Sequence, residues 1–361
     1  MQFLYWLSLS VIGITVFFVY IKKLSQDKAF YIISCFFIFM SAFRNIGGVG
    51  GDEYNYRLGC INYINRSIEW DKVFAAEGGN YLLQWGLTNI FKFSQPYIFV
   101  SSLIANVLIL VSIKKYSRNI LMSLFLYVVT GTYITTMNIS RQYMAVGIIF
   151  FAYRFIENRS FIKYCIMVII AFWFHTSALI MIPMYFILSQ KELSKWSIIW
   201  FAVAIVIMIN FERIANVLIQ GTSYEHYADS FNDDNAVNPI RILKDLIIGG
   251  SIIFFKNRID SVNKNNGFLY NAVLLSLLIS VVSAAYKYAY RFGCYFDIGI
   301  LVLLPQIFNV VEKRTRVILV IGFIVLFVLY GYINTGHGVE YHNVLFESLP
   351  YGTSYGAKYI R

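Results

Sequence analysis

Apolar runs long enough to cross a bilayer recur from the start of this chain almost to its end, and that recurrence limits the fold more than any other feature. They predict about twelve spans. Five lie near residues 2–21, 29–43, 96–113, 119–137 and 142–156, and two short segments meet within 164–188. Five more lie near 196–210, 240–255, 267–286, 292–310 and 317–334. A backbone at lipid depth satisfies its N–H and C=O groups internally, so it is helical unless it closes into a barrel. The sequence lacks the ~10-residue alternating segments of a barrel. Only 14% of residues are charged, against about 25% in soluble domains. The expected fold is therefore all-α, one polytopic membrane domain over residues 1–361.

The net charge of +11 does not point to nucleic acid. Lys and Arg collect in short loops, at 22–28, 114–118, 159–163, 191–195, 256–264 and 313–316, where acids are few. Basic short loops face the cytoplasm, which places both termini and two long segments, 44–95 and 211–239, that carry most of the remaining acids, on the outer side. Segment 44–95 is too polar to span and rich in aromatic residues, so interfacial amphipathic helices are expected there. Met1 to Ile21 has no basic residue ahead of its apolar run and reads as a first span rather than a cleaved signal peptide. The four cysteines are scattered and no His-Glu-x-x-His occurs, so neither a disulfide framework nor a metal site is expected.

This orientation gathers Arg44, Asp52, Arg141, His175 and Arg291 at span ends or breaks on one membrane face. Arg141 lies in Asn138-Ile139-Ser140-Arg141-Gln142, between the apolar runs 120–137 and 143–155. An arginine in a spanning segment costs a few kcal/mol or more, so it calls for an anionic partner. The plainer alternative is snorkelling to lipid phosphate, which applies to Arg291 too. Arg44 precedes Gly47, Gly48, Gly50 and Gly51, whose amides can cradle an anion. Asp52, and Glu77 in Ala-Glu-Gly-Gly-Asn-Tyr, are candidate acceptors of a hydroxyl proton, or else solvated loop acids. His175 interrupts an apolar run in Trp173-Phe174-His175-Thr176-Ser177, as a base, a phosphate contact or a histidine bonded to backbone. His226, His337 and His342 read as loop residues. Guanidinium groups donate in pairs to phosphates. A cationic pocket at one leaflet therefore suits a phospholipid-like or polyprenyl diphosphate ligand.

Four elements together resemble the EpsG family of Wzy-like polymerases: Arg44…Gly51-Asp52…Tyr56, Asn138-x-x-Arg141-Gln142, Phe174-His175-x-Ser177-Ala178 and Arg291-x-x-x-Tyr295-Phe296. They cover roughly residues 30–310. The resemblance implies a GT-C-like fold in a bacterial inner membrane with its active site facing the periplasm. It also implies an enzyme that joins oligosaccharide repeat units carried on undecaprenyl diphosphate, for O-antigen or exopolysaccharide, without nucleotide sugar, metal or other cofactor. Its partners would be the lipid-linked donor and acceptor, membrane lipid, a chain-length regulator and a flippase.

On that reading Arg141, with Arg44 and Arg291, grips the donor diphosphate, and His175 or Asp52 deprotonates the acceptor. Glu77, Asn138, Gln142 and Tyr56 complete the candidate site, and Tyr54, Tyr56, Trp70, Trp85, Tyr224 and Tyr227 are candidate sugar contacts or interfacial aromatics. A glycan ligase needs the same diphosphate grip. A flippase would line its path with polar groups through the full depth, and an acyltransferase would need an inward-facing histidine. The topology makes a direct prediction: reporter fusions at residues 141 and 175 register on the same, extracytoplasmic side. Opposite sides would dismantle the constellation.

Overall fold

A computed structural model describes residues 2–45, 51–191, 239–262, 267–284 and 289–334, together with residues 194, 199, 206 and 341. Every regular element among them is helical. The expected span 196–210 and outer loop 211–239, with Tyr224, Tyr227 and His226, fall largely or wholly outside the described residues, as do residues 46–50, His337 and His342. Three described helices are long and apolar enough to cross a membrane: α1 (Gln2–Tyr20), α6 (Gln95–Tyr116) and α17 (Lys313–Asn334, through Tyr332). A bent pair, α7 (Ile120–Val129) and α8 (Thr132–Asn138), passes the same test together. The chain divides into two compact units: Met1–Tyr153 with Ile162–Met181 and Val311–Arg361, and Arg154–Phe161 with Ile182–Val310.

In the first unit α2 (Gln26–Ala42) starts where Ser25 accepts from the Lys28 amide, with Asp27 in its first turn. Its neighbour α6 ends on Lys114 and Lys115, and Lys114 pairs with Asp27 at 3.1 Å. The start of one helix therefore meets the end of the other, and the two run antiparallel. Farther along, Asn106 of α6 donates to the Ser102 carbonyl and to Ser41 Oγ, and accepts from Tyr127 Oη at 2.9 Å. Tyr133 Oη donates to the Phe37 carbonyl, and the two rings lie 4.6 Å apart. Buried hydroxyls and amides thus tie α2, α6, α7 and α8 together where apolar contact alone distinguishes poorly between helix faces. At the other edge Tyr5 of α1 donates to the Val328 carbonyl of α17 at 3.1 Å. This approach needs Gly331, where a Cβ would lie 2.3 Å from Tyr5 Oη.

The single span expected over 119–137 is in fact broken. α7 stops at Val129, Gly131 turns at φ +85, and α8 leaves at 54°. Only glycine adopts that backbone without strain. After α8 one non-helical residue, Ile139 (φ −96, ψ 55), joins it to α9 (Ser140–Glu157). The interruption expected at His175 is present: α10 (Phe161–Phe174) ends, His175 is extended, and a 3₁₀ turn (Thr176–Ile180) leads into α11 (Met181–Leu188).

The outer segment is helical too, as α3 (Gly51–Asn62), α4 (Trp70–Phe74) and α5 (Gly78–Phe91). It has its own small core of Tyr56, Cys60, Tyr97 and Ile98 against Leu83 and Leu87. Beneath it lies a buried triad in which Glu53 pairs with Arg44 at 3.1 Å and with Arg57, one turn along α3, at 2.8 Å.

The second unit holds α11, α12 (Pro239–Phe254), α13 (Lys256–Val262), α14 (Gly267–Val282), α15 (Tyr290–Gly293) and α16 (Ile298–Val310). Gly249 meets Leu277 and Gly299 meets the Leu269 carbonyl, so these helices approach closely. Polar pairs lock them: Ser280 donates to Asp245 at 2.7 Å and Ser276 to Asp297 at 3.1 Å.

The triad generates a stability prediction. Glu53→Ala strands two buried guanidinium groups, a change that costs about 3–5 kcal/mol in buried ion pairs. A clear fall in melting temperature in detergent is expected, and an unchanged melt would mean that the triad does not hold the outer segment.

Candidate active site

Three of the expected residues meet at one carboxylate. Glu77 Oε2 accepts from Arg141 Nη1 at 2.8 Å, and Glu77 Oε1 lies 2.7 Å from His175 Nδ1. The Thr176 amide and hydroxyl add bonds of 3.1 and 3.2 Å to the same Oε1. All three side chains are partly covered, at 15% exposure for Glu77, 20% for His175 and 39% for Arg141, so the cluster is sheltered yet reachable.

Local backbone explains how Glu77 reaches them. It stands in left-handed conformation (φ 62, ψ 19) immediately before α5, a placement that costs a non-glycine residue on the order of 1 kcal/mol or more. The two glycines that follow permit the turn. A Cβ on Gly78 would lie 1.9 Å from the Val73 carbonyl oxygen, and one on Gly79 would lie 2.8 Å from the Trp173 ring. The indole therefore lies directly on the first turn of α5, and its Nε1 donates to the Val73 carbonyl at 3.0 Å. Trp173 precedes His175 by two residues, so this contact also fixes the broken end of α10 against Glu77. The helix N-terminus of α5 favours the negative charge.

Arg141 comes from the first turn of α9. Its guanidinium stands 5.2 Å from the centre of the Tyr56 ring, a cation–π contact. Tyr56 is held from behind by Gln84 of α5, which donates to its carbonyl at 3.2 Å. Asp52 lies one turn before Tyr56 on the same stripe of α3, close enough for its charge to act on the phenol. Burial raises the Tyr56 phenol and Asp52 adds to this, while Arg141 opposes it.

Other candidates are placed differently. Arg44 is fully buried with all five N–H groups engaged by Glu53, Ser41, Ser102, Met137 and Ser140, so in this structure it offers a phosphate no donor. The expected diphosphate ligand is thus engaged by protein acceptors here. Asn138 ends α8, and Gln142 is buried in the first turn of α9. Arg291 lies in α15 of the second unit. Trp85 donates to the Arg66 carbonyl. Glu77 ranks above Asp52 as the organising carboxylate, and Thr176 and Trp173 join the site only through contacts distant in sequence.

The arrangement has a clear chemistry. Burial alone would raise the Glu77 carboxyl, but the His175 hydrogen bond, the Arg141 charge and the Thr176 amide outweigh it and hold the group at about 2. An ionised Glu77 fixes the proton of His175 on Nδ1, leaving Nε2 as the basic nitrogen. Nε2 makes no hydrogen bond among the described residues. Arg141 uses Nη1 on Glu77 and keeps further donors in its exposed part. The cluster can therefore hold an anion on one side and take or return a proton on the other. Among the described residues no three His, Cys, Asp or Glu side chains form a metal-binding group.

Because the folded carboxyl sits below its unfolded value of about 4.3, its stabilisation is present above that value. It fades as the pH falls toward 2. Glu77→Gln should therefore cost on the order of 3 kcal/mol at pH 6 to 7, with the melting temperatures of variant and wild type converging as the pH falls to 2–3. A gap that stays constant across that range would contradict the assignment.

No curated protein and no solved structure matches this chain. The sequence model of the EpsG family matches residues 28–351, most of its length. The chain belongs to the EpsG family, a Wzy-like polymerase-type family.

Proposed function

We propose that this protein is a glycosyltransferase that extends a bacterial surface polysaccharide by joining oligosaccharide repeat units carried on undecaprenyl diphosphate. The observation that carries the reading is the single carboxylate, Glu77, that fixes a guanidinium and an imidazole beside each other. Transfer of a glycan from a diphosphate-linked donor asks for those two functions together. The leaving diphosphate develops charge that preorganised donors stabilise, and the attacking hydroxyl has a proton to lose.

In this mechanism Arg141 binds the diphosphate and stabilises it as the glycosidic C–O bond breaks. His175 Nε2 accepts the acceptor hydroxyl proton as the new C–O bond forms. Glu77 keeps the imidazole in the required tautomer and takes up part of its charge. Tyr56 walls the guanidinium, and Asp52 is a second proton acceptor within the same group of residues. We read the whole chain as about twelve spans in a GT-C-like arrangement, with this cluster facing the periplasm from the inner membrane. The placement of basic loops supports that orientation.

Replacement of Arg141 tests the proposal in cells. Arg141→Ala at normal membrane abundance should leave single repeat units and abolish long chains, while His175→Ala should slow extension by about 10²–10⁴-fold. Full-length polymer from Arg141→Ala would refute the assignment.

A further inference from the structure

We propose that Arg44 is a positioning residue: it holds the joint between α8 and α9 in the geometry that delivers Arg141 to Glu77. The inference rests on Arg141 being the anion-binding arginine of the proposed reaction.

The joint is one residue, Ile139, in a non-helical conformation. Residues on both sides of it are bonded to one nitrogen of Arg44: Nη2 donates to the Met137 carbonyl and to Ser140 Oγ, each at 3.0 Å. Ser140 Oγ itself donates to the Met137 carbonyl at 3.1 Å, closing a small ring around the joint. Arg141 is the next residue, so the start of α9 and the direction of the guanidinium are set here.

The rest of Arg44 is anchored in three other helices. Nη1 donates to the Ser41 carbonyl of α2 and to Ser102 Oγ of α6, and Nε to Glu53 of α3. Its own carbonyl accepts from Arg57 Nη2 at 3.0 Å and from Gln95 Nε2 at 3.3 Å. Arg44 is fully buried, and a planar fork with five donors matches this set of acceptors as a single ammonium cannot. Glu53 couples the same network to α3, whose adjacent stripe carries Tyr56 against Arg141. One buried arginine thus sets both the origin of Arg141 and the wall it lies against.

The test is a double-mutant cycle on the full-length protein in detergent or nanodiscs, with lipid-linked repeat unit as substrate and melting temperature measured in parallel. Arg44→Lys keeps the charge and loses the fork, and Arg141→Lys alters the anion site directly. Arg44→Lys is expected to lower kcat at least tenfold with a smaller change in KM. Combined with Arg141→Lys, it should lower activity by less than a further twofold, because the group it positions is already altered. The melting-temperature losses should add. Independent, multiplying effects on kcat, or full kcat in Arg44→Lys, overturn the inference while leaving the proposed reaction intact. Full activity in Arg141→Lys together with Arg141→Ala overturns both. Should Arg44→Lys fail to accumulate, Ser140→Ala removes one of the two Nη2 contacts. The same non-additive pattern with Arg141→Lys is then expected, at smaller amplitude, and a multiplying pattern overturns the inference.

Discussion

The geometry of the first unit turns on the carboxylate of Glu77. Its two oxygens divide their partners, one facing Arg141 and the other facing His175 and Thr176. An ionised group in a sheltered position is stable only where its partners are complete. That condition couples three parts of the chain far apart in sequence: the turn before α5, the start of α9 and the break after α10. Removing Glu77 strands the Arg141 guanidinium, and removing Arg141 leaves the carboxylate without its charged partner.

Two kinds of interaction build this site, and they act at different depths. Beneath the outer segment, Arg44, Glu53 and Arg57 form a buried array with a net positive charge, saturated by backbone carbonyls and hydroxyls. Such an array adds little net stability compared with apolar packing, but it admits few alternative arrangements. Above it, Glu77, Arg141 and His175 are partly exposed and keep donor and acceptor capacity in reserve. The saturated layer gives shape and the unsaturated layer gives chemistry. Arginine serves in both because its fork reads several acceptors at once.

Much of this was legible in the sequence, for physical reasons that differ residue by residue. The break at His175 shows because three polar residues interrupt an apolar run, and helices at lipid depth rarely tolerate that without a local purpose. The break at Gly131 does not show, since threonine and glycine are common within spanning helices and only the positive φ marks the bend. Arg141 and His175 stand out as ionisable residues beside apolar runs. Glu77 does not outrank Asp52 on composition, because its role depends on a left-handed turn and on partners 64 and 98 residues away. Arg44 is visible as an unusual charge, but its donors end largely on groups that carry no signal of their own, such as the carbonyls of Ser41 and Met137. Glu53 and Arg57 were not among the expected site residues, and their i, i+4 ion pair on α3 emerges only from the structure.

The contact between Gly79 and Trp173 has a consequence for how this protein can be recombined. The indole fills the space that any side chain at position 79 would need, and its nitrogen is tied to the Val73 carbonyl. The stretch from α4 to α5 and the end of α10 have therefore to be inherited as a pair. A chimera that swaps the outer segment for a relative's, but keeps the original α10, brings together two surfaces shaped for other partners. A single crossover respects this pairing only outside residues 73–173, for instance in the basic turn between α1 and α2 at Lys22 and Lys23.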